Sequence, residues 1–278
     1  MRRAVKVARC RRRVHVGGMT ELSAVGRIVQ RHDPDRFFTA LFAPPARRET
    51  LFTLYAVNHE LARAREAVSN PMLALIRLQW WREVAEGARR RHEVAEPLGE
   101  ALDEGRLLAA DILGMIEGRE AEAYPIKDLA AFRDYALSAF GGVAAAAGHA
   151  LGAEPPVRDA LRHLGGAYGV TGVLRSVPVL ARQDRCVLPL DVLHATGLTV
   201  ADLIAPAPDK LRTVQAAVAG IGKGWLAAGR AIHLPRATIA AALPAVLAKR
   251  DLRHPGTNAA RRLADRVMVA VAAARGRV

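Results

Sequence analysis

Residues 47–68 read RRETLFTLYAVNHELARAREAV, and this stretch decides the fold. Its small and aliphatic residues recur in steps of three and four, a spacing that places them on one face of a helix. About six turns pass without a proline or glycine, so the pattern predicts one long helix. The residues that share its face are Leu51, Tyr55, Asn58, Ala62 and Glu66.

The break at residues 69–71, of sequence SNP, contains the residue types that end one helix and cap the next. Beyond this break Leu75, Leu78 and Trp81 again repeat at helical spacing. Because the connection is short, we predict that the two helices are antiparallel neighbours.

The remaining chain shows the same helical periodicity and no strand-like alternation. A short helix is predicted to open at Asp33-Pro34, and the uncharged stretch from residue 135 to 153 is predicted to form a buried central helix. Hydrophobic residues make up 51% of the chain and aromatic residues only 5%, which favours an all-α core of Ala, Leu and Val. The other predicted helices are 97–105, 107–122, 126–151, 157–182, 199–204, 207–234, 238–250 and 257–275.

The charge of the chain is strongly positive, with 41 Lys and Arg against 27 Asp and Glu, and it is unevenly distributed. Residues 1–18 carry seven basic residues and no acid, and residues 200–278 carry thirteen basic and four acidic residues. Such a basic region can face nucleic acid, an anionic membrane surface or an acidic protein. No zinc-finger spacing, RNA-binding aromatic signature or helix-turn-helix accompanies the charge, so no nucleic-acid partner is expected.

The ends of the chain and its cysteines complete the domain prediction. We interpret residues 1–18 as a basic leader or an upstream mis-start before Met19, and we assign one domain to residues 19–278. Cys10 and Cys186 lie far apart without histidines at ligand spacing, so neither a disulfide framework nor a zinc site is indicated.

Four blocks of sequence together resemble the squalene/phytoene synthases in their order and spacing. They are Leu54–Glu66 (LYAVNHELARARE), Arg77–Glu83 (RLQWWRE), Gly166–Arg175 (GAYGVTGVLR) and Val187–Pro189 (VLP). The resemblance covers roughly residues 33–252. It implies an all-α fold, a single-domain helical bundle of the isoprenoid-synthase type around a central cavity.

The same resemblance implies two aspartate-rich motifs, which in active family members face the cavity and hold magnesium against a diphosphate. Here the first motif falls on Ala62, Arg63 and Glu66, and the second falls on Ser176 and Leu180. Only Glu66 is an acid. Mg²⁺ takes oxygen ligands in near-octahedral geometry, and Ser, Leu and Ala do not replace carboxylates in this role.

A one-turn shift of the alignment does not restore the second motif, because residues 161–183 contain no Asp or Glu. Arg63 places a positive charge beside the expected metal, which opposes cation binding. The resemblance therefore implies no catalytic residue, no metal and no other cofactor in this chain. It leaves a set of vestigial cavity positions, which are Tyr55, Ala62, Arg63, Glu66, Tyr168, Ser176 and Leu180.

Two interpretations are open for the roles of the charged residues near these positions. Arg77 and Arg175 can bind an anion without metal, since guanidinium recognises phosphate oxygens bidentately. Alternatively, Arg175 neutralises Glu66 across a cavity that no longer holds magnesium. We favour an ion-paired Glu66 at the edge of the core, beside Arg63, Arg65 and Arg77, over a residual metal ligand.

The closest resemblance is to the phytoene-synthase-like assembly factors of respiratory complex I, on the segments Asn58–Ala62 (NHELA) and Arg77–Trp81 (RLQWW). It implies a non-catalytic protein that works by binding, either as an assembly factor for a membrane respiratory complex or as a carrier of an isoprenoid-like lipid. The alternatives are an active prenyltransferase, which joins two prenyl diphosphates head to head with Mg²⁺, and a scaffold with a filled core.

The last predicted helix places Leu263, Val267 and Val271 on one stripe, the usual pattern of a surface helix. A basic amphipathic segment of this kind can also lie on an anionic membrane surface. With no signal peptide or membrane-spanning helix in the sequence, we expect a cytoplasmic protein that is free or peripheral to the inner membrane.

Overall fold

The computed structural model describes residues 21–66, 70–205 and 208–278. The predicted leader at residues 1–18 lies outside the described residues. The described chain is all-helical, which confirms the predicted fold class, and it contains no β-strand. Its α-helices are α1 Ala24–His32, α2 Pro34–Ala40, α3 Pro45–Glu66, α4 Pro71–Ala85, α5 Ala95–Asp103, α6 Ala109–Glu120, α7 Leu129–Ala136, α8 Gly142–Ala150, α9 Pro155–Ala181, α10 Leu190–Ala195, α11 Pro208–Arg230, α12 Ile239–Ala242, α13 Pro244–Asp251 and α14 Leu263–Arg275.

The N-terminal helices follow the predicted signals. Asp33 caps α2, because its carboxylate accepts from the backbone N–H of Arg36 at 3.0 Å and Pro34 occupies the first turn. Helix α3 is long and unbroken, and Leu51, Leu54 and the residues around them are fully buried. In α4 the side chain of Asn70 accepts from the N–H of Met72 at 2.9 Å, so the predicted cap is present.

The centre of the bundle is α9, which packs against α8, α11 and α13. Helix α8 is buried over nearly its whole length, as the uncharged stretch predicted. A π-helical turn, Leu137–Gly141, joins α7 to α8, so the helix predicted over 126–151 is two α-helices with a wider turn between them. This turn lies against α6 and α9.

The C-terminal third departs from the predicted boundaries in several places. The helix predicted over 199–204 is a 3-10 turn, Ala201–Ile204, and the helix predicted over 207–234 ends at Arg230. The helix predicted over 238–250 is divided into α12 and α13 at Pro244, which lacks the N–H needed to continue the first helix. The helix predicted over 257–275 begins only at Leu263.

The orientation of α14 also differs from that of a usual surface helix. Leu263, Val267 and Val271 are exposed, and Asp265 on the opposite side is buried. The carboxylate of Asp265 accepts from Arg250 and from the backbone N–H of Arg262, both at 2.7 Å. These two bonds hold the polar residue inward, so the apolar stripe faces solvent.

No helix within the described ranges is both long enough and apolar enough to cross a membrane.

Candidate functional site

The predicted positions on α3 lie in unlike environments. Tyr55 is buried in the core, and Ala62 is half-buried. Arg63 is largely exposed and donates to Glu60 one turn earlier at 3.1 Å. Glu66, the last residue of α3, is exposed and forms no ion pair with another described residue. The prediction of an ion-paired Glu66 is therefore wrong for the described part of the chain.

The positions on α9 are occupied by groups that already have partners. Tyr168 is buried, and its hydroxyl donates to Asp35 at 3.0 Å. The hydroxyl of Ser176 donates to the carbonyl oxygen of Val173 at 2.8 Å, within its own helix. Leu180 packs against the hydrophobic core. Neither Ser176 nor Leu180 carries a carboxylate, and the hydroxyl of Ser176 is engaged within α9.

A magnesium–diphosphate site does not fit this arrangement. Mg²⁺ needs oxygen ligands, usually one or two carboxylates besides the substrate phosphates. Across residues 21–66, 70–205 and 208–278, no group of three His, Cys, Asp or Glu side chains could hold a metal ion. The carboxylates that are buried nearby are instead held by arginines, in three groups.

The first group, the Arg36 cluster, consists of Asp33, Arg36, Tyr55 and Tyr168. The guanidinium of Arg36 lies between the two tyrosine rings, 5.7 Å from the centroid of Tyr55 and 5.1 Å from that of Tyr168. It also donates to Asp33 at 2.8 Å. A cation at these distances is attracted by both aromatic faces. The cluster thus joins α2, α3 and α9 where a cavity between α3 and α9 was expected.

Burial and charge set the ionisation of this cluster. Burial lowers the pKa of Arg36, but Asp33 and the two tyrosines raise it, so the pKa stays above its usual range. Burial raises the pKa of Tyr55, and burial together with Asp33 and Asp35 raises that of Tyr168. Both phenols therefore stay protonated near neutral pH and Arg36 stays charged, so neither tyrosine can act as a general base there.

The second group, the Asp251 network, consists of Asp35, Arg175, Asp251 and Arg261. Arg175 donates to Asp251 at 2.6 Å, and Arg261 bridges Asp251 and Asp35, both at 2.9 Å. Arg175 therefore pairs with Asp251, and the alternative in which it neutralises Glu66 is wrong. The sequence reasoning missed this network, because Asp35 and Arg261 are 226 positions apart.

The third group, the Glu122 cluster, consists of Arg119, Glu122, Tyr135 and Arg185. Glu122 accepts from Arg119 at 2.7 Å and from the hydroxyl of Tyr135 at 2.9 Å, and Arg185 approaches it to 3.6 Å. The three charged side chains are each less than 10% exposed. Burial and the neighbouring Glu122 raise the pKa of Tyr135 well above its usual range.

A pocket of about 230 Å³ opens beside the Glu122 cluster, near the C-terminal ends of α3 and α9. Arg65, from the last turn of α3, and Arg185, just beyond α9, line it together with Glu122 and Asp184. Guanidinium groups suit an oxyanion and repel a metal cation. The sequence signal for this site is the presence of Arg65 at the end of the first block and of Arg185 just before the last block.

The predicted anion-binding residue Arg77 lies apart from these clusters. It is exposed on α4 and lines a pocket of about 220 Å³ with Arg63, Trp80 and Trp81. Trp81 is buried and Trp80 is half-buried, as expected for adjacent residues of one helix. The structure therefore does not bring Arg77 and Arg175 together into one anion site.

Comparison of the sequence with known proteins identifies one family and several distant relatives. The chain matches the squalene/phytoene synthase family profile over residues 29–270. It is 25% identical over 230 residues to complex I assembly factor 6 of Bos taurus, a match that covers 79% of this chain and 68% of the bovine protein. The human assembly factor 6 is 25% identical over 192 residues, which cover 66% of this chain and 57% of the human protein.

Two solved structures share the fold at low sequence identity. A dehydrosqualene synthase superposes with a TM-score of 0.75 at 14% identity, over 90% of this chain and 94% of that one. A squalene synthase from Alicyclobacillus acidocaldarius superposes with a TM-score of 0.61 at 18% identity, over 91% and 92% of the two chains. These similarities establish the helical architecture.

Proposed function

The chain belongs to the squalene/phytoene synthase family, and from this premise we propose that it is a non-catalytic member that binds a protein partner during assembly of a membrane respiratory complex. Its activity would then depend on its surface and on a rigid helical body. Magnesium-dependent transfer of a prenyl group is not part of the proposal.

The observation that carries the proposal is the state of the buried carboxylates. Asp33, Glu122 and Asp251 each accept from at least one arginine within 2.8 Å. A carboxylate held in this way has its charge neutralised and its lone pairs engaged, so it would bind Mg²⁺ only if the arginine were displaced. The remaining acid of the two motifs, Glu66, would offer a single exposed ligand.

The relatives support the direction of the proposal. The bovine and human proteins described above are named as assembly factors of NADH dehydrogenase (ubiquinone) complex I. The shared identity is distant, and this chain spans 57 to 68% of their length. Association with a respiratory complex is therefore proposed as a class of partner, without a named subunit.

The proposed absence of prenyl transfer can be tested with purified protein. The purified chain is incubated with farnesyl or geranylgeranyl diphosphate and Mg²⁺, and the extract is analysed for condensed C30 or C40 products, with an active squalene synthase as the positive control. We expect no product and no release of diphosphate. Product formation that is lost in Glu66→Gln would contradict the proposal and support an active prenyltransferase.

The test of the assembly part uses the cell in which the chain is expressed. Removal of the protein should lower the amount of fully assembled complex I on native gels, and the chain carrying Glu66→Gln should restore it as well as the wild type does. Unchanged complex I in the absence of the protein would contradict the assembly role.

Protein binding is better supported than transport of a lipid in the central cavity that the family resemblance implies. Pockets for drug-sized ligands usually have about 300 to 1,000 Å³ and mainly apolar walls. The pockets beside Arg77 and Glu122 have about 220 and 230 Å³, and a pocket of about 320 Å³ between α1 and α3 is lined mainly by charged residues and histidines. Native mass spectrometry that detects a co-purifying isoprenoid would reverse this preference.

A further inference from the structure

Helix α14 presents an unpartnered apolar face to solvent. Leu263 is 77% exposed, Val267 52%, Met268 40% and Val271 41%. The side of the helix that packs on the protein carries Asp265, Val269, Ala272 and Ala273. Exposed aliphatic residues are common singly, but four on one face of a thirteen-residue helix form a continuous stripe about 12 Å long.

The exposed charged residues on α14 and directly before and after it are all arginines. Arg262, Arg266 and Arg275 are exposed on or beside α14. The one acid of the helix, Asp265, is buried and paired with Arg250. Arg277 follows just after the helix and is also exposed. An apolar face with arginines along it and no exposed acid complements a surface that is apolar inside and anionic outside.

Other occupants fit this face less well. A second copy of the chain would bring arginines against arginines, and four side chains fall far short of the roughly 800 Å² per partner that a stable dimer buries. The chain's own residues 1–18 are as basic as the stripe's surroundings. An acidic protein surface would match the charge, but the face is a convex stripe without the aromatic residues that usually anchor protein interfaces.

We propose that α14 is a membrane-docking helix, which lies in the surface of a bilayer rich in anionic phospholipid. Leu263, Val267 and Val271 enter the boundary between headgroups and acyl chains, and the arginines contact lipid phosphates. The proposal is independent of the assembly role, because it depends only on exposed residues of the last helix.

The test is co-sedimentation of the full chain with vesicles. We expect partition into vesicles of phosphatidylcholine mixed with phosphatidylglycerol, weak partition into pure phosphatidylcholine, and a decrease as salt is added. Val267→Glu combined with Val271→Glu should lower the partition coefficient more than about 100-fold, since burial of each aliphatic group is lost and two like charges face the lipid.

Two further variants make the test specific. Arg262→Gln combined with Arg275→Gln should weaken binding by about 30-fold, from roughly 1 kcal/mol for each arginine near an anionic surface. Ile76→Glu on α4 is the matched control, because Ile76 is 63% exposed and far from α14 in sequence; it should bind as the wild type does. Circular dichroism confirms that each variant is folded.

Four outcomes overturn the proposal. They are no binding to anionic vesicles, equal binding to neutral and anionic vesicles, a loss in the α14 variants no larger than in Ile76→Glu, and a wild-type dimer that dissociates on Val267→Glu. Loss of an acidic protein partner in the same variants, without any effect on vesicles, would assign the stripe to a protein interface instead.

Discussion

At the scale of single residues, the candidate site is dominated by acids and arginines of the same chain that neutralise one another. Arginines near the vestigial positions are engaged with acids of the same chain, Arg63 with Glu60 and Arg175 with Asp251. The first pair is exposed, whereas Arg175 and Asp251 are largely buried. A buried pair adds little to stability by itself, but removing one partner is costly, because the other charge stays buried and unpaired. The buried ion pairs and the exposed Glu66 should therefore respond very differently to mutation.

Replacement of Glu122 tests this contrast. Glu122→Gln leaves Arg119 and Arg185 buried without their carboxylate, so we expect the free energy of unfolding to fall by roughly 3 to 5 kcal/mol in urea denaturation. Glu66→Gln removes an exposed carboxylate and should change stability by less than about 0.5 kcal/mol. Equal effects of the two substitutions would mean that Glu122 is not the neutralising centre of its cluster.

The sequence predicted a set of site positions, which stays a prediction, and it did not indicate the partners of the charged residues near them. Ala62, Ser176 and Leu180 could be read as lost ligands from the linear order of the blocks. The pairing of Arg175 with Asp251 and the bridge from Arg261 to Asp35 join residues far apart in the chain. Such contacts depend on how α2, α9 and α13 pack, which local spacing does not determine.

At the scale of helices, the close packing around the π-helical turn holds the core together. A Cβ atom added to Gly118 on α6 would lie 2.4 Å from the backbone nitrogen of Ala139, in the π turn. A Cβ on Gly169 of α9 would lie 2.2 Å from Phe140. The turn is thus held between two glycines, and interiors packed this densely do not accept an extra methyl group without movement.

A pair of glycines on α6 tests this packing. Gly118→Ala should lower the free energy of unfolding by about 1 to 3 kcal/mol, because backbone must shift to admit the methyl group. Gly114 lies one turn earlier on the same helix, and a Cβ there meets nothing within 4 Å. Gly114→Ala should stabilise the protein by about 0.5 to 1 kcal/mol through helix propensity. A stabilising Gly118→Ala would contradict the described contact.

Helix periodicity predicted which residues share a face of a helix. It did not predict whether that face packs on the core or is exposed to solvent. The long helices α3 and α9 and the cap of α2 follow from local spacing and capping residues. The apolar stripe of α14 was also visible in the sequence, yet it faces solvent. The two bonds to Asp265 decide the orientation, and one of them involves Arg250 of another helix.

At the scale of the whole molecule, the chain has the helical fold of its family, and groups of buried polar residues take part in packing its interior. Three of the four tyrosines belong to these groups: Tyr55 and Tyr168 to the Arg36 cluster and Tyr135 to the Glu122 cluster. Burial raises the pKa of all three phenols in the folded protein. Folding is therefore coupled to tyrosine ionisation.

The coupling predicts that stability falls as pH rises above about 10, the ordinary pKa of tyrosine. There the unfolded chain loses phenolic protons that the folded chain retains, and ionisation shifts the equilibrium toward the unfolded state. Urea denaturation between pH 8 and 11 should show the decline, at about the pH where tyrosine absorbance at 295 nm rises in denaturant. If all four phenols ionise together near pH 10 while circular dichroism stays native, the three buried tyrosines are accessible to water, and the filled interior between α3 and α9 is not the structure that exists in solution.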